Sequence, residues 1–407
     1  MPATDLRGRR QLAPTAVVLA YLVAAAGTIV LADRVSRAGW LALHLVLLGG
    51  VTNAIVAWSE HFSEALLHAR GSGARTAMVR IVALNLAVLA VLAGVHGGRT
   101  VLVGAGGGLL AIVVLAHAAH LSGRIRRALP TRLGDTVWFY VAAATALVAA
   151  TGLGMLLGGG AAGSGEEYRT IRLAHAHLNI LGWIGLTVLG TQFTLWPTVL
   201  RTRMAGSVRT AVRWSFLLSV CGLAVLTTGL LGRHQAVAAA GLAGYAAGLG
   251  TALWPFLRTL ARRPPHNAAS WMLAAGMGWF SVAVAADLVA VLVTPAVADL
   301  DGHLDRLVPV VAVGFGVQVL TGALTYLLPA VWGRGASGNR GLTRILELGW
   351  PVRVAGLNAG VGAVAAGPAD GALAAAGQLL IGVALGSFVV LAIAALAWRV
   401  RNRVPAG

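Results

Sequence analysis

The sequence predicts an all-α integral membrane protein of about twelve transmembrane helices, arranged as three pseudo-repeated four-helix arcs. Three observations predict it. Of the 407 residues, 58% are hydrophobic and only 11% are charged, well under the roughly 25% that a soluble domain spends on its surface. Apolar runs of about 20 residues, the length that crosses a ~30 Å hydrocarbon core, fill nearly the whole chain. Finally, arginine collects in every second connecting segment.

The apolar runs place helices at 13–32, 38–66, 76–95, 101–122, 135–158, 170–199, 208–231, 235–258, 269–296, 302–332, 350–367 and 371–399. The first run has no small-residue cleavage site and leads straight into another span, so it reads as a helix, not a cleaved signal peptide. With the N-terminus inside, 24 of the 31 basic residues, all arginine, fall in inner segments. The outer segments instead hold acids such as Glu166, Glu167, Asp299, Asp301, Asp305 and Asp370. This positive-inside asymmetry predicts a cytoplasmic (inner) membrane protein with both termini cytoplasmic. A missed or extra span would scramble the alternation, so the helix number is even.

The net charge of +18 and pI near 11.7 would suit a nucleic-acid binder. The arginines are spread over short loops between apolar runs, however, so the expected partner is the lipid bilayer, and no nucleic acid is expected. The single Cys221 excludes an intramolecular disulfide and a cysteine-based zinc or iron–sulfur site. There is no Walker motif, no dinucleotide fingerprint in a strand–helix context and no serine-hydrolase elbow.

A weak repeat of about 130 residues divides the single membrane domain near 1–133, 134–266 and 267–407. The second, sixth and tenth helices are long, and each carries histidine near its outer end: His44 in LALHLVLLGG, His175 and His177 in LAHAHLNILGW, His303 in DGHLDRLVPV. The sixth and tenth also share GTQFTLWP and GVQVLTGALTYLLP, which place Gln192 and Gln318 mid-helix as candidates for interhelical hydrogen bonds.

Ionisable residues within the bilayer are costly and mark functional sites. Of eleven histidines, His96, His234 and His266 lie at loop edges, and His68, His117 and His120 at inner helix ends, where an interfacial, solvated role is expected. His44, His175, His177 and His303 instead share a depth; His44 lies roughly 9 Å into its helix at 1.5 Å per residue. Neutral imidazole is a common ligand of haem iron and of copper. These four are therefore the candidate cofactor-binding and metal ligands, with haem b and copper both open. On a helix, residues i and i+2 differ by about 200°, so His175 and His177 leave opposite faces. Either two sites flank the sixth helix, or one of the pair joins His44 and His303 while the other supports it.

Asn53, Glu60 and Glu64 follow i, i+7, i+11 on one face of the second helix, beside His61, and form a candidate proton path toward the inner side. The structural alternative pairs Glu64 with Arg70 or Arg75. Asp287, deep in the ninth helix, needs a partner that the sequence does not identify.

HAHLNILGWIGLTVLGTQFTLWP resembles the helix of haem–copper oxidase catalytic subunits, the cbb3 type above all, that carries His-x-His, then Gly-Trp, and ends in proline. HLVLLGGVTNAIVAWSEHF and GFGVQVLTGALTYLLPAVWG resemble helices of the membrane domain of actinobacterial copper oxidase and copper nitrite reductase-like proteins; the haem- and copper-containing membrane proteins of the nitric-oxide response are a more distant likeness. The resemblance implies twelve helices in three arcs and a haem or copper site in the outer half of the membrane. It also implies an electron-transfer partner, a separate cupredoxin-type copper protein or a quinol. The chain departs from the oxidase pattern: His-x-His lies in the sixth helix instead of the tenth, and the seventh has no histidine. The reading that results is a redox metalloprotein, in electron transfer or in reduction of a small gas or oxyanion at the outer face. The alternatives are a non-catalytic copper-handling or nitric oxide- or oxygen-sensing protein, and a proton-coupled transporter.

Overall fold

A computed structural model describes residues 3–131, 133–163, 165–333, 335–368 and 371–401, with side chains from Arg10 onward. The side chains of Arg7 and Arg9, together with Arg132, Arg334, Arg403 and Asp370, all counted in the charge asymmetry, lie outside the described residues. Among those described, every regular element is helical.

Eleven helices are long and apolar enough to cross a membrane. They are α1 (Arg10–Val30), α2 (Ala38–Leu66), α3 (Ala74–His96), α4 (Thr100–Arg127), α5 (Gly134–Gly158), α6 (Glu166–Val199), α7 (Val208–Leu231), α8 (Gln235–Arg262), α9 (Ala268–Val293), α10 (Val297–Trp332) and, last in the chain, α13 (Ala372–Arg401). Between the last two come α11 (Gly335–Leu346) and α12 (Trp350–Ala366), an apolar helix of 17 residues. The apolar runs of the sequence thus match the helices to within a few residues at each end. Only α11 was not predicted: it is short and glycine-containing, and its apolar side rests on Leu342 and Leu346, both fully buried.

The chain divides into two compact units. Unit 1 comprises Met1–Ala54, Pro265–Phe280 and Pro309–Gly407; unit 2 comprises Ile55–Pro264 and Ser281–Val308. In membranes helices gain little by hiding apolar surface from lipid, so close backbone approach at small residues does the packing. Unit 2 shows this between α7 and α8: a Cβ placed on Gly241 would lie 2.1 Å from the Leu226 nitrogen, so only glycine fits. A core of Leu67, Leu121, Val137 and Tyr140 joins α4 and α5. In unit 1, α12 and α13 meet around Leu357, Val361 and Ala384, and Phe280 stacks on Phe315 with centroids 4.1 Å apart.

Three of the long spans, α2, α6 and α10, are not uniform α-helices. Each contains a π-helical stretch: Leu45–Val51, Leu178–Leu186 and Val311–Val317. These begin at 45, 178 and 311, a spacing of 133 residues each time. The wider turn frees carbonyl groups, and in a low-dielectric interior each needs a donor. Thr52 Oγ1 donates to Leu47 O at 3.0 Å, Asn53 Nδ2 to Gly49 O at 2.8 Å and Tyr245 OH to Leu181 O at 2.8 Å.

Candidate functional site

The π stretches fix where the histidines sit. His44 and His177 are each the last residue before one. The corresponding residue of α10 is Val310. His303 lies about two turns earlier in α10.

Three of the four candidate ligands share one posture. His44 gives Nδ1–H to Trp40 O at 2.8 Å, and Trp40 stacks on its ring with centroids 4.2 Å apart. His175 gives Nδ1–H to Ala150 O, also at 2.8 Å. His177 gives Nδ1–H to Leu173 O at the same distance. A carbonyl can only accept, so Nδ1 carries the proton and Nε2 is the remaining position in each ring. The fourth, His303, has a buried Nε2 with no hydrogen-bond partner among the described residues.

The His-Ala-His pair splits as its spacing requires. The His175 ring turns toward α5, where a Cβ on Gly154 would lie 2.9 Å from its Cε1; glycine makes the room the ring occupies. Its Nε2 is 3.4 Å from Asn179 Nδ2. His177 turns toward α9 and places Nε2 2.9 Å from Asp287 Oδ2. This supplies the partner of Asp287 that the sequence left open. Because Nδ1–H is already given to Leu173, a second proton closes the contact between Nε2 and the carboxylate, and the pair is neutral as a whole. That neutrality makes its burial tolerable. One turn before His175, Arg172 clamps α6 to α10, with Nη1 2.7 Å from Asp301 Oδ1 and a second ion pair to Asp305.

At the arginine-rich end of unit 2 the proton-path candidates Glu60 and Glu64 meet a network the sequence did not show. Glu60 pairs with Arg80 and lies 3.6 Å from Arg124 Nη2. Glu64 lies 3.3 Å from Arg124 Nη2, and the same nitrogen donates to Arg70 O at 3.1 Å. Arg124 Nη1 also donates to Ser63 Oγ at 2.9 Å. His117 is 2% exposed and accepts from Arg80 at Nδ1, 3.3 Å, while its Nε2 faces Ser59 Oγ at 2.9 Å. His120 Nε2 lies 3.1 Å from Ser72 Oγ.

The solvated role expected for His117 is therefore overturned: it is enclosed. The signal was present, since 117, 120 and 124 share one face of an otherwise apolar helix. Asn53 Nδ2 donates to Gly49 O of its own helix, and His61 lies edge-on to Trp58 at 5.3 Å. Gln318 bonds across helices, to Asn358 Oδ1 at 3.3 Å. Gln192 does not, for neither of its buried amide atoms has a partner among the described residues.

No three histidine, cysteine, aspartate or glutamate side chains gather as a metal-ion group among the described residues. No family model matches the chain, and no curated protein matches it.

Proposed function

We propose that this is a membrane redox protein that holds haem b, or alternatively copper, through imidazole Nε2 atoms in the arginine-poor half of the bundle. The observation that carries the reading is the shared posture of His44, His175 and His177. An imidazole whose Nδ1–H is held by a carbonyl has its ring orientation and tautomer set for ligation at Nε2. His175 and His303 are the ligand candidates of unit 2, and His44 is a candidate of unit 1 considered by itself. His177 would serve only after releasing Asp287, so it is assigned to support of the site. Haem is favoured over copper because no three-residue ligand group gathers among the described residues. A porphyrin brings four nitrogens of its own and needs one or two imidazoles, whereas a protein-bound copper ion draws on several side chains.

The bound group would supply one-electron exchange, for electron transfer or for reduction of a small gas or oxyanion at the outer face, with a cupredoxin-type protein or a quinol as the electron partner. In this reading α12 is the twelfth span. The 133-residue spacing of the π stretches supports three four-helix arcs, and the arginine asymmetry supports an inner membrane with both termini cytoplasmic.

The test is the metal content and optical spectrum of the purified protein. A haem Soret band, weakened in His175→Ala, is the expected result; wild-type protein free of iron, haem and copper overturns the reading. Proton-coupled transport is the second reading, favoured by the charged network around Glu60. Flux in liposomes that survives His44→Ala and is lost in Glu60→Gln would establish it instead.

A further inference from the structure

Unit 1 carries a neutral polar cluster midway along its helices. Trp279 lies near the midpoint of α9, Asn358 at the midpoint of α12, and Gln318 in α10 directly after the π stretch Val311–Val317. One atom gathers the three side chains. Asn358 Oδ1 accepts from Trp279 Nε1 at 2.8 Å and from Gln318 Nε2 at 3.3 Å. Asn358 Nδ2 donates to Val354 O of its own helix at 2.8 Å. A Cβ on Gly314 would lie 3.0 Å from Trp279 Cγ, so glycine lets the indole rest against α10. The indole also borders the core around Leu357 and Val361.

The donors and acceptors of this cluster do not balance. A carbonyl oxygen has two lone pairs, and both of those on Asn358 Oδ1 are engaged. Gln318 is 0% exposed, and its Oε1 is buried without a hydrogen-bond partner among the described residues. Oε1 and Nε2 hang from one carbon, so the unmet acceptor stands beside the contact with Asn358. An interhelical tie, the role the sequence suggests for Gln318, uses only its nitrogen and leaves this oxygen at a cost. The missing partner is therefore an O–H or N–H donor. All three side chains are neutral, so nothing in the cluster would balance a cation at this depth. The donor is then a neutral group, and midway along the helices it arrives through lipid. Trp279 and Asn358 are only half-buried, so the cluster reaches the surface of these helices. A hydroxyl carried on a flat ring matches both the oxygen and the indole.

We propose that Gln318, Asn358 and Trp279 form a docking site for a quinol headgroup, with Gln318 Oε1 accepting the hydrogen of a ring hydroxyl. The inference rests on the redox reading for its choice of ligand, since quinol is one electron partner named there, and it concerns binding alone. The experiment takes the full chain in detergent, without oxygen, and measures its affinity for a short-chain quinol, the matching quinone and the quinol dimethyl ether. The quinone and the ether keep the ring but cannot donate. The quinol should bind about tenfold tighter than either, the difference between a buried acceptor that is met and one left unmet. Gln318→Met keeps the bulk and removes the acceptor; quinol affinity should fall to that of the ether, and ether affinity should stay. If Gln318→Met does not fold, the preference of the wild type alone decides. Equal affinity for the three, as for an oxygen met by water, overturns the proposal. So does no binding at all, or a Gln318→Met variant that still prefers the quinol. Metal content and the Soret region, read on the same samples, separate the two failures. Protein that prefers quinol but lacks iron, haem and copper sinks the redox reading and keeps the site; protein with the band and no quinol preference sinks the site alone.

Discussion

Two buried polar clusters of unit 2 solve the same problem in opposite ways. At the arginine-rich end, Glu60 and Glu64 face Arg80 and Arg124. Guanidinium keeps its charge at any working pH, so the cluster holds two permanent cations against two carboxylates and ties α2, α3 and α4 together. Toward the other end, His177 meets Asp287 alone. Among the described residues no arginine pairs with this carboxylate, and the pair is neutral only through a proton that its two members share. A cluster balanced by arginine is a lock; one balanced by a proton has a part that can move. The contrast draws attention to the histidine-bearing half as the place for redox chemistry.

The largest expected effect comes from opening the lock. Arg124 is almost enclosed, at 8% side-chain exposure, and its replacement in Arg124→Met strips partners from two buried carboxylates. The loss should be about 3–5 kcal/mol, visible as a large drop in the thermal midpoint in detergent; a change close to zero would show that the cluster is hydrated and not a tie. Next comes the room around His175. Gly154→Val places atoms where the ring lies and should cost about 1–3 kcal/mol by overpacking, while shifting any haem band. A stable variant with an unchanged spectrum would remove His175 from the ligand set.

The His177–Asp287 pair gives a graded test. Asp287→Leu leaves Nε2 buried and unmet, at about 1–3 kcal/mol, whereas Asp287→Asn can donate its amide N–H to Nε2 and should cost less. Thermal unfolding of the two variants separates them, and equal losses would mean that the contact contributes shape only. The smallest effect is Tyr245→Phe, which removes the donor to Leu181 O within the π stretch of α6 and should cost roughly 0.5–1.5 kcal/mol. Hydrogen exchange confined to 178–186 would report it.

The helices were legible because membrane insertion imposes a local rule. Twenty apolar residues make a span, and arginine marks one side, whatever the rest of the chain does. The opposite faces of His175 and His177 were legible for the same reason, since helical geometry is local. The network of His117 was not read, although its helical face was visible, because a polar face at a helix end reads equally well as solvated. The partner of Asp287 was out of reach: His177 is far away in sequence and packs beside it only once α6 and α9 are in place.

By itself, then, the sequence determined that this chain is a multi-pass helical membrane protein and which residues are unusual within it. That follows from the cost of placing polar groups in hydrocarbon, a cost each segment meets alone. The tertiary structure decided which unusual residues meet. It set Glu60 and Glu64 against two arginines, gave Asp287 to His177 and left Nε2 of His303 without a partner among the described residues. Those outcomes depend on how helices approach one another at glycine-sized contacts, and no single segment carries that information.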